Sequence, residues 1–165
     1  MELTIKTKLD FGGLNKVVKA CDLLNKLRVH SGVINADSET TQKAYLNEFG
    51  GVSTYDRGPY VGEEVRVPPR SFVASPAEHS ASKAFERASR MFSKGFTETH
   101  AEQAVEIIGE EISNAQRRAI EMNGEGANPD WLKHNEPRTI ATKGFDKPLY
   151  TTNNETFPID YEVVR

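Results

Sequence analysis

The chain has 165 residues, enough for one domain with a sizeable core. Hydrophobic residues make up 37% and charged residues 27%, which excludes an intrinsically disordered chain. With 21 basic residues against 24 acidic ones the net charge is −3, so there is no basic excess for wrapping nucleic acid by phosphate neutralisation.

Residues 2–9 alternate, with Leu3, Ile5, Thr7 and Leu9 on one face, which predicts a half-buried strand. Gly12-Gly13 breaks it. From Leu14 the period becomes helical: Leu14, Val17, Val18, Cys21, Leu24 and Leu27 form one apolar stripe. A short strand follows over 29–35. Asp37 and Ser38 can cap a second helix, which Gly50-Gly51 ends.

Then about 25 residues lack a helical period, far beyond the usual connection of about 4–6 residues. This segment carries Tyr55, Arg57, Tyr60, Val61, Val65 and Val67, which suit an extended arm or a hairpin that docks on something. Pro68-Pro69 stiffens its exit. Ser75-Pro76-Ala77-Glu78 reads as a capping box opening a helix that runs to about Lys94. Thr99-His100-Ala101-Glu102 reads as another, opening the longest helix, with Ala101, Val105, Ile108, Ile112, Ala115, Ala119 and Met122 on one face. Asn123-Gly124 is its expected end. The stretch 131–141 fits a short helix, and Phe157, Ile159, Tyr161 and Val163 alternate as a closing strand whose Pro158 sits at an edge.

Chemistry-bearing residues are few. Cys21 lies on the apolar stripe, where a free thiol packs as a small hydrophobe, and the alternative is a nucleophile near His30. A single cysteine allows no internal disulfide and fits a reducing compartment. Neither a signal peptide nor an apolar run of about 20 residues is visible, so a soluble protein is expected, with no membrane partner. The histidines His30, His79, His100 and His134 form no metal-binding spacing, and Glu78-His79 alone falls short of the three or four ligands a zinc site needs. Glu102, Glu106, Glu110 and Glu111 sit on the long helix, where a solvated face is expected, with acid–base work by Glu110 and Glu111 as the rival. No phosphate loop is present: Lys94-Gly95 and Lys143-Gly144 lack the required glycines upstream. Catalytic, cofactor-binding and metal-binding residues are therefore all expected to be none. Tyr55, Arg57, Tyr60, Arg70 and Phe72 are expected at a subunit or partner interface, since Arg and aromatic side chains are enriched there. The same Arg and aromatic residues leave open a nucleic-acid-binding module as an alternative.

Several segments recur in an ordered set. They are Asn47-Glu48-Phe49-Gly50, Pro68-Pro69-Arg70-Ser71-Phe72, Ile108-Gly109-Glu110-Glu111-Ile112, Gln116-Arg117-Arg118-Ala119-Ile120, and Lys143-Gly144 with Asp146-Lys147-Pro148-Leu149-Tyr150-Thr151-Thr152-Asn153. Over residues 45–165 this order resembles the neck and tail-completion (virion morphogenesis) proteins of tailed bacteriophages. Ser71 stands where that family often carries Pro, and Thr151 and Asn153 where Asp and Gly are usual.

The resemblance implies a non-enzymatic virion protein of the head–tail neck, assembled in the host cytoplasm as a homo-oligomeric ring of six subunits. Its partners would be connector, stopper, tail tube or terminator proteins, and genomic DNA would pass the channel without specific binding. The expected architecture is one α+β domain over 1–165: a small antiparallel-rich sheet packed against helices, with a long interaction loop at 51–74 between the second and third helices.

Overall fold

A computed structural model describes residues 12–122, 134–150 and 155–165, and the chain is α+β as expected. The described elements in order are α1 (Gly12–Lys26), β1 (Arg28–Val33), α2 (Ser38–Phe49), β2 (Gly51–Thr54), β3 (Glu64–Val67), α3 (Ala74–Ser89), α4 (Glu98–Glu121), α5 (Pro137–Lys143) and β4 (Ile159–Val164). The strand expected over 2–9 and the helix end at Asn123-Gly124 lie outside the described residues.

The strands form two separate antiparallel pairs. In one, β1 runs against β4 with Arg28 opposite Val164 and Val33 opposite Ile159. In the other, β2 and β3 make a hairpin with Gly51 opposite Val67 and Thr54 opposite Glu64. The long segment after the second helix is therefore a hairpin with a 3₁₀ turn at Gly58–Tyr60, and not an extended arm.

Helix α4 is the centre of the molecule. It packs on α3, on α1 and on both strands of the β1–β4 pair. The long helix thus lies across the sheet. Small residues let its neighbours approach: Ala101 and Ala104 on α4, Ala84 and Ala88 on α3, and Ala20 on α1 are all buried. Gly109 does the same on the sheet side. A Cβ there would collide with the Tyr161 ring of β4, so only glycine admits this crossing.

A larger-residue core joins α2, α4 and the chain around β4, through Ala44, Phe72, Ile120, Leu149, Phe157 and Ile159. The Phe72 and Phe157 rings stack with centroids 5.3 Å apart. Polar ties fix the layers. Gln116, 1% exposed, accepts from Ser31 Oγ at 2.6 Å and donates Nε2 to the Val73 carbonyl at 3.0 Å. One α4 side chain thereby holds both β1 and the entry to α3. Arg117 Nε donates to the Ile159 carbonyl at 3.0 Å and holds β4.

Helix starts differ from the sequence reading in an instructive way. Asp37 caps α2 as expected, accepting from Thr40 N at 2.7 Å. Helix α3, however, starts at Ala74 and has no side-chain cap of its own. Its N-terminus is capped from α2: the Glu48 carboxylate accepts from Val73 N at 2.9 Å, Ala74 N at 3.0 Å and Ser71 Oγ at 3.2 Å. A carboxylate brought by tertiary packing replaces the local Ser75 cap. On α4 the cap is Thr97, two residues before the expected Thr99.

Two burial expectations are corrected. Cys21 is exposed, and so are Leu14, Val17 and Val18, so most of the apolar stripe of α1 faces away from the protein while Ala20 meets it. Glu111 is buried and ion-paired with Arg87 of α3, so it is not part of a solvated face.

Candidate functional site

The hairpin, α2, α5 and residues 149–150 and 155–158 line a cavity of about 670 Å³. Local chemistry explains why these parts meet. Gly50 (φ 77°) ends α2 and turns the chain into β2, with Pro69 packed against its Cα. Leaving β3, the chain returns to α2: Arg70 N donates to the Asn47 carbonyl at 2.8 Å and Arg70 NH1 to Asn47 Oδ1 at 2.8 Å. Helix α5 clasps the hairpin from the other side. Tyr55 Oη lies 3.2 Å from Thr139 Oγ1, Arg138 donates to Glu63 at 2.5 Å, and the Arg138 guanidinium lies over the Tyr60 ring at 5.3 Å.

The sequence-derived interface residues fall into two groups. Tyr55, Arg70 and Phe72 are buried within the protomer. Phe72, at 1% exposure, is the deepest, so its ring belongs to the core and cannot serve as an anchor for another chain without unfolding. Arg57 is exposed and Tyr60 partly so. Arg57 pairs only weakly, 3.9 Å from Asp56, which also lies 3.7 Å from Lys43. Arg57 and Tyr60 alone keep surface to offer.

Beneath that rim the buried Arg70 and Asn135 join a cluster that reaches outward to Asp146 and the exposed His134, and that sequence reasoning missed. Arg70 NH2 donates to Asn135 Oδ1 at 3.3 Å. Asn135 N donates to Asp146 Oδ1 at 3.0 Å, and His134 Nδ1 sits 2.7 Å from Asp146 Oδ2. Burial pushes the Asp146 carboxyl up, but the Asn135 and His134 hydrogen bonds outweigh it and hold it below its ordinary value. Burial pulls the Arg70 guanidinium below its ordinary value, with Asp146 opposing. Lys143 joins the cluster. Burial and then the Arg70 charge lower its pKa to about 8, again against Asp146. The signal that could have found the cluster was the late Lys143-Gly144…Asp146 segment, but nothing local joins it to Arg70 or Asn135. Contact across 65 residues brings Arg70 to Asn135.

Three of the segments singled out in the sequence thus converge here. Asn47 and Glu48 hold Arg70 and Ser71, while Lys143 and Asp146 face the same guanidinium. Ser71 adopts φ 37°, which a proline, fixed near −65°, cannot reach, so the chain path at this position differs from one carrying Pro.

The arrangement sets Arg70 and Lys143 beside the Asp146 carboxylate. It has no nucleophile paired with a base, and no group of three His, Cys, Asp or Glu side chains could bind a metal among the described residues. Glu110 is exposed and Glu111 is engaged by Arg87, so these two carboxylates do not share one site. No helix among the described residues is long and apolar enough to cross a membrane. No protein-family model, curated protein or solved structure matches this chain.

Proposed function

We propose that the chain is a structural protein of a tailed-bacteriophage virion, joining or completing the tail at the head–tail neck as a homo-oligomeric ring. The observation that carries this reading is apolar surface left on two separate elements of a protomer whose core is already filled. Leu14 is 58% and Val18 50% exposed on α1, while Tyr45 is 62% and Phe49 65% exposed on α2. Tyr45 and Phe49 touch, with ring centroids 4.7 Å apart, and Val52 on β2, which lines a shallow depression with Phe49, is 61% exposed.

Single exposed apolar residues are ordinary, but grouped ones mark interaction sites. A ring requires heterologous contacts, in which one patch of a subunit meets a different patch on the next. Two distinct patches suit that geometry. The ordered segments that resemble neck and tail-completion proteins supply the family. The six-fold ring, the neighbouring connector or terminator proteins and the unhindered passage of DNA belong to the same proposal.

The test combines mass and phenotype. Sedimentation of the purified chain should give a closed oligomer, and deleting its coding sequence from a phage genome that carries it should leave heads and tails unjoined. Infectious particles of normal form without the protein would sink the reading.

A further inference from the structure

We propose that the β2–β3 hairpin is a hinged lid over the cavity and that α5 is the latch that holds it shut. This does not rest on the ring assignment.

The first observation is that the hairpin has no share in the core. The core residues Ala44, Phe72, Ile120, Leu149, Phe157 and Ile159 all come from other parts of the chain. Neither hairpin strand has a buried residue. On the side towards the body, Ser53, Val65 and Val67 line the cavity instead of meeting a packed layer. Protein interiors are otherwise close-packed, so a gap of about 670 Å³ leaves the hairpin without the dispersion contacts that hold a strand down. Its buried side chain, Tyr55, is met locally, by the Tyr60 ring with centroids 5.9 Å apart and by Thr139 of α5.

The second observation is a single base. Both ends of the hairpin leave the body together, where Gly50 meets Pro69 and Gly51 pairs with Val67. The tip is closed by its own backbone: Tyr55 N donates to the Glu63 carbonyl at 3.0 Å and Gly62 N to the Tyr55 carbonyl at 2.9 Å. The hairpin can thus swing as one piece, with the change in backbone angle taken up at Gly51. Helix α5 does not follow it. Asn135, just ahead of α5, bonds Arg70 and Asp146, and Pro148 and Leu149 behind it are buried.

The third observation is how the lid is held. Arg138 of α5 donates to Glu63 and sits over the Tyr60 ring, Tyr55 Oη lies 3.2 Å from Thr139 Oγ1, and Gly58 rests on Thr142. Lys43 of α2 adds a pair with Asp56 at 3.7 Å. Most of these are surface contacts, with Arg138 and Glu63 each about half exposed. Exposed pairs of this kind contribute little and weaken with salt. The lid is therefore shut by a narrow margin, and an open minor state is populated beside the closed one.

The test is fluorine NMR of the full chain carrying fluorotyrosine, with Tyr55, Tyr60 and Tyr161 assigned by single Tyr→Phe changes. The expected result is microsecond-to-millisecond exchange at Tyr55 and Tyr60 and none at Tyr161 on β4. Arg138→Ala should raise the open population about threefold or more, and salt at about 0.5 M should move it the same way. A staple should do the reverse. A Cβ at Gly58 would lie 3.6 Å from the Thr142 Cβ, within the span of a disulfide. In a Cys21→Ser background, the oxidised Gly58→Cys, Thr142→Cys chain should lose the exchange and regain it on reduction. Absence of exchange at Tyr55 and Tyr60, exchange of equal size at Tyr161, or an open population unmoved by Arg138→Ala would each overturn the inference. So would exchange that persists in a folded, oxidised staple, its fold checked by an unchanged Tyr161 signal.

Discussion

Glu48 shows how one residue can carry two levels of structure. It ends one helix and starts another, since its carboxylate satisfies Ser71 and the first amides of α3. Glu48→Ala would leave those part-buried donors without their carboxylate, and about 1–2 kcal/mol of stability should be lost in urea unfolding. Glu48→Gln keeps one acceptor and should cost less. Ser71→Pro should be at least as damaging, because the φ of 37° is forbidden to proline and the Ser71–Glu48 bond is lost. Lys143 acts in the opposite sense. Its pKa falls from 10.5 to about 8 on folding, so between those values the unfolded chain binds more protons. Stability contributed by this group therefore rises with pH from about 8 to about 10.5, and the penalty is full below about 8. Lys143→Met should make the protein more stable at pH 7, and its advantage should shrink as pH climbs through that window. Little of this was legible in the sequence. Glu48, Arg70 and Asn135 are polar residues in unremarkable local contexts, and only distant contacts bury them. Phe72 misled for the same reason, since an aromatic after Pro-Pro reads alike whether it faces a partner or its own core.

At the scale of elements the sequence was more informative, because periodicity is local and burial of one face is its direct consequence. The helix stripes, the Asp37 cap, the Gly50 stop and the alternation in 157–163 all correspond to observed elements. What periodicity could not supply was which stripe finds a partner inside the protomer. The α4 face does, while most of the α1 stripe does not. Nor could it show that the segment after Gly50 folds back as a hairpin clasped by α5, since the Tyr55–Thr139 and Glu63–Arg138 pairs join residues 75 or more positions apart. The crossing of α4 over β4 makes a sharp prediction. Gly109→Ala improves intrinsic helix propensity by about 1 kcal/mol. It also drives a methyl into the Tyr161 ring, and overpacking of this kind costs about 1–3 kcal/mol. Net destabilisation is expected, with strand β4 loosened first in hydrogen exchange. Adding Tyr161→Val should recover much of the loss. If Gly109→Ala alone is stabilising, the close approach is not a constraint.

For the whole molecule the decisive quantity is where apolar surface remains once the core is complete. The protomer spends its strongest sequence signals, Asn47-Glu48, Arg70 to Phe72, Gln116 and Ile120, on internal joints. The exposed apolar surface, where the proposed ring would make its contacts, lies instead on α1, at Leu14, Val17 and Val18, and on α2, at Tyr45 and Phe49. These residues contribute nothing obvious to the fold, so altering them separates assembly from stability. Phe49→Ala removes an exposed ring, and its effect on monomer stability should stay within about 0.5 kcal/mol. Val18→Asp places a charge in the α1 patch and should be equally mild for folding. Both should shift the chain toward monomer in sedimentation, because truncating an apolar anchor at an interface centre costs about 2 kcal/mol or more per contact. In a ring with heterologous contacts the two variants complement each other in one way only. Each has one damaged patch and one intact patch, so an equimolar mixture should form heterodimers through the two intact surfaces but close no rings. An isologous dimer built on one of the two patches behaves differently: only the variant in that patch would fall to monomer, so if the shared patch is α1 the Phe49→Ala chain would still pair. Sedimentation of the two variants, alone and mixed, therefore decides between ring and dimer, and unchanged oligomers in all three samples would remove both patches from the assembly.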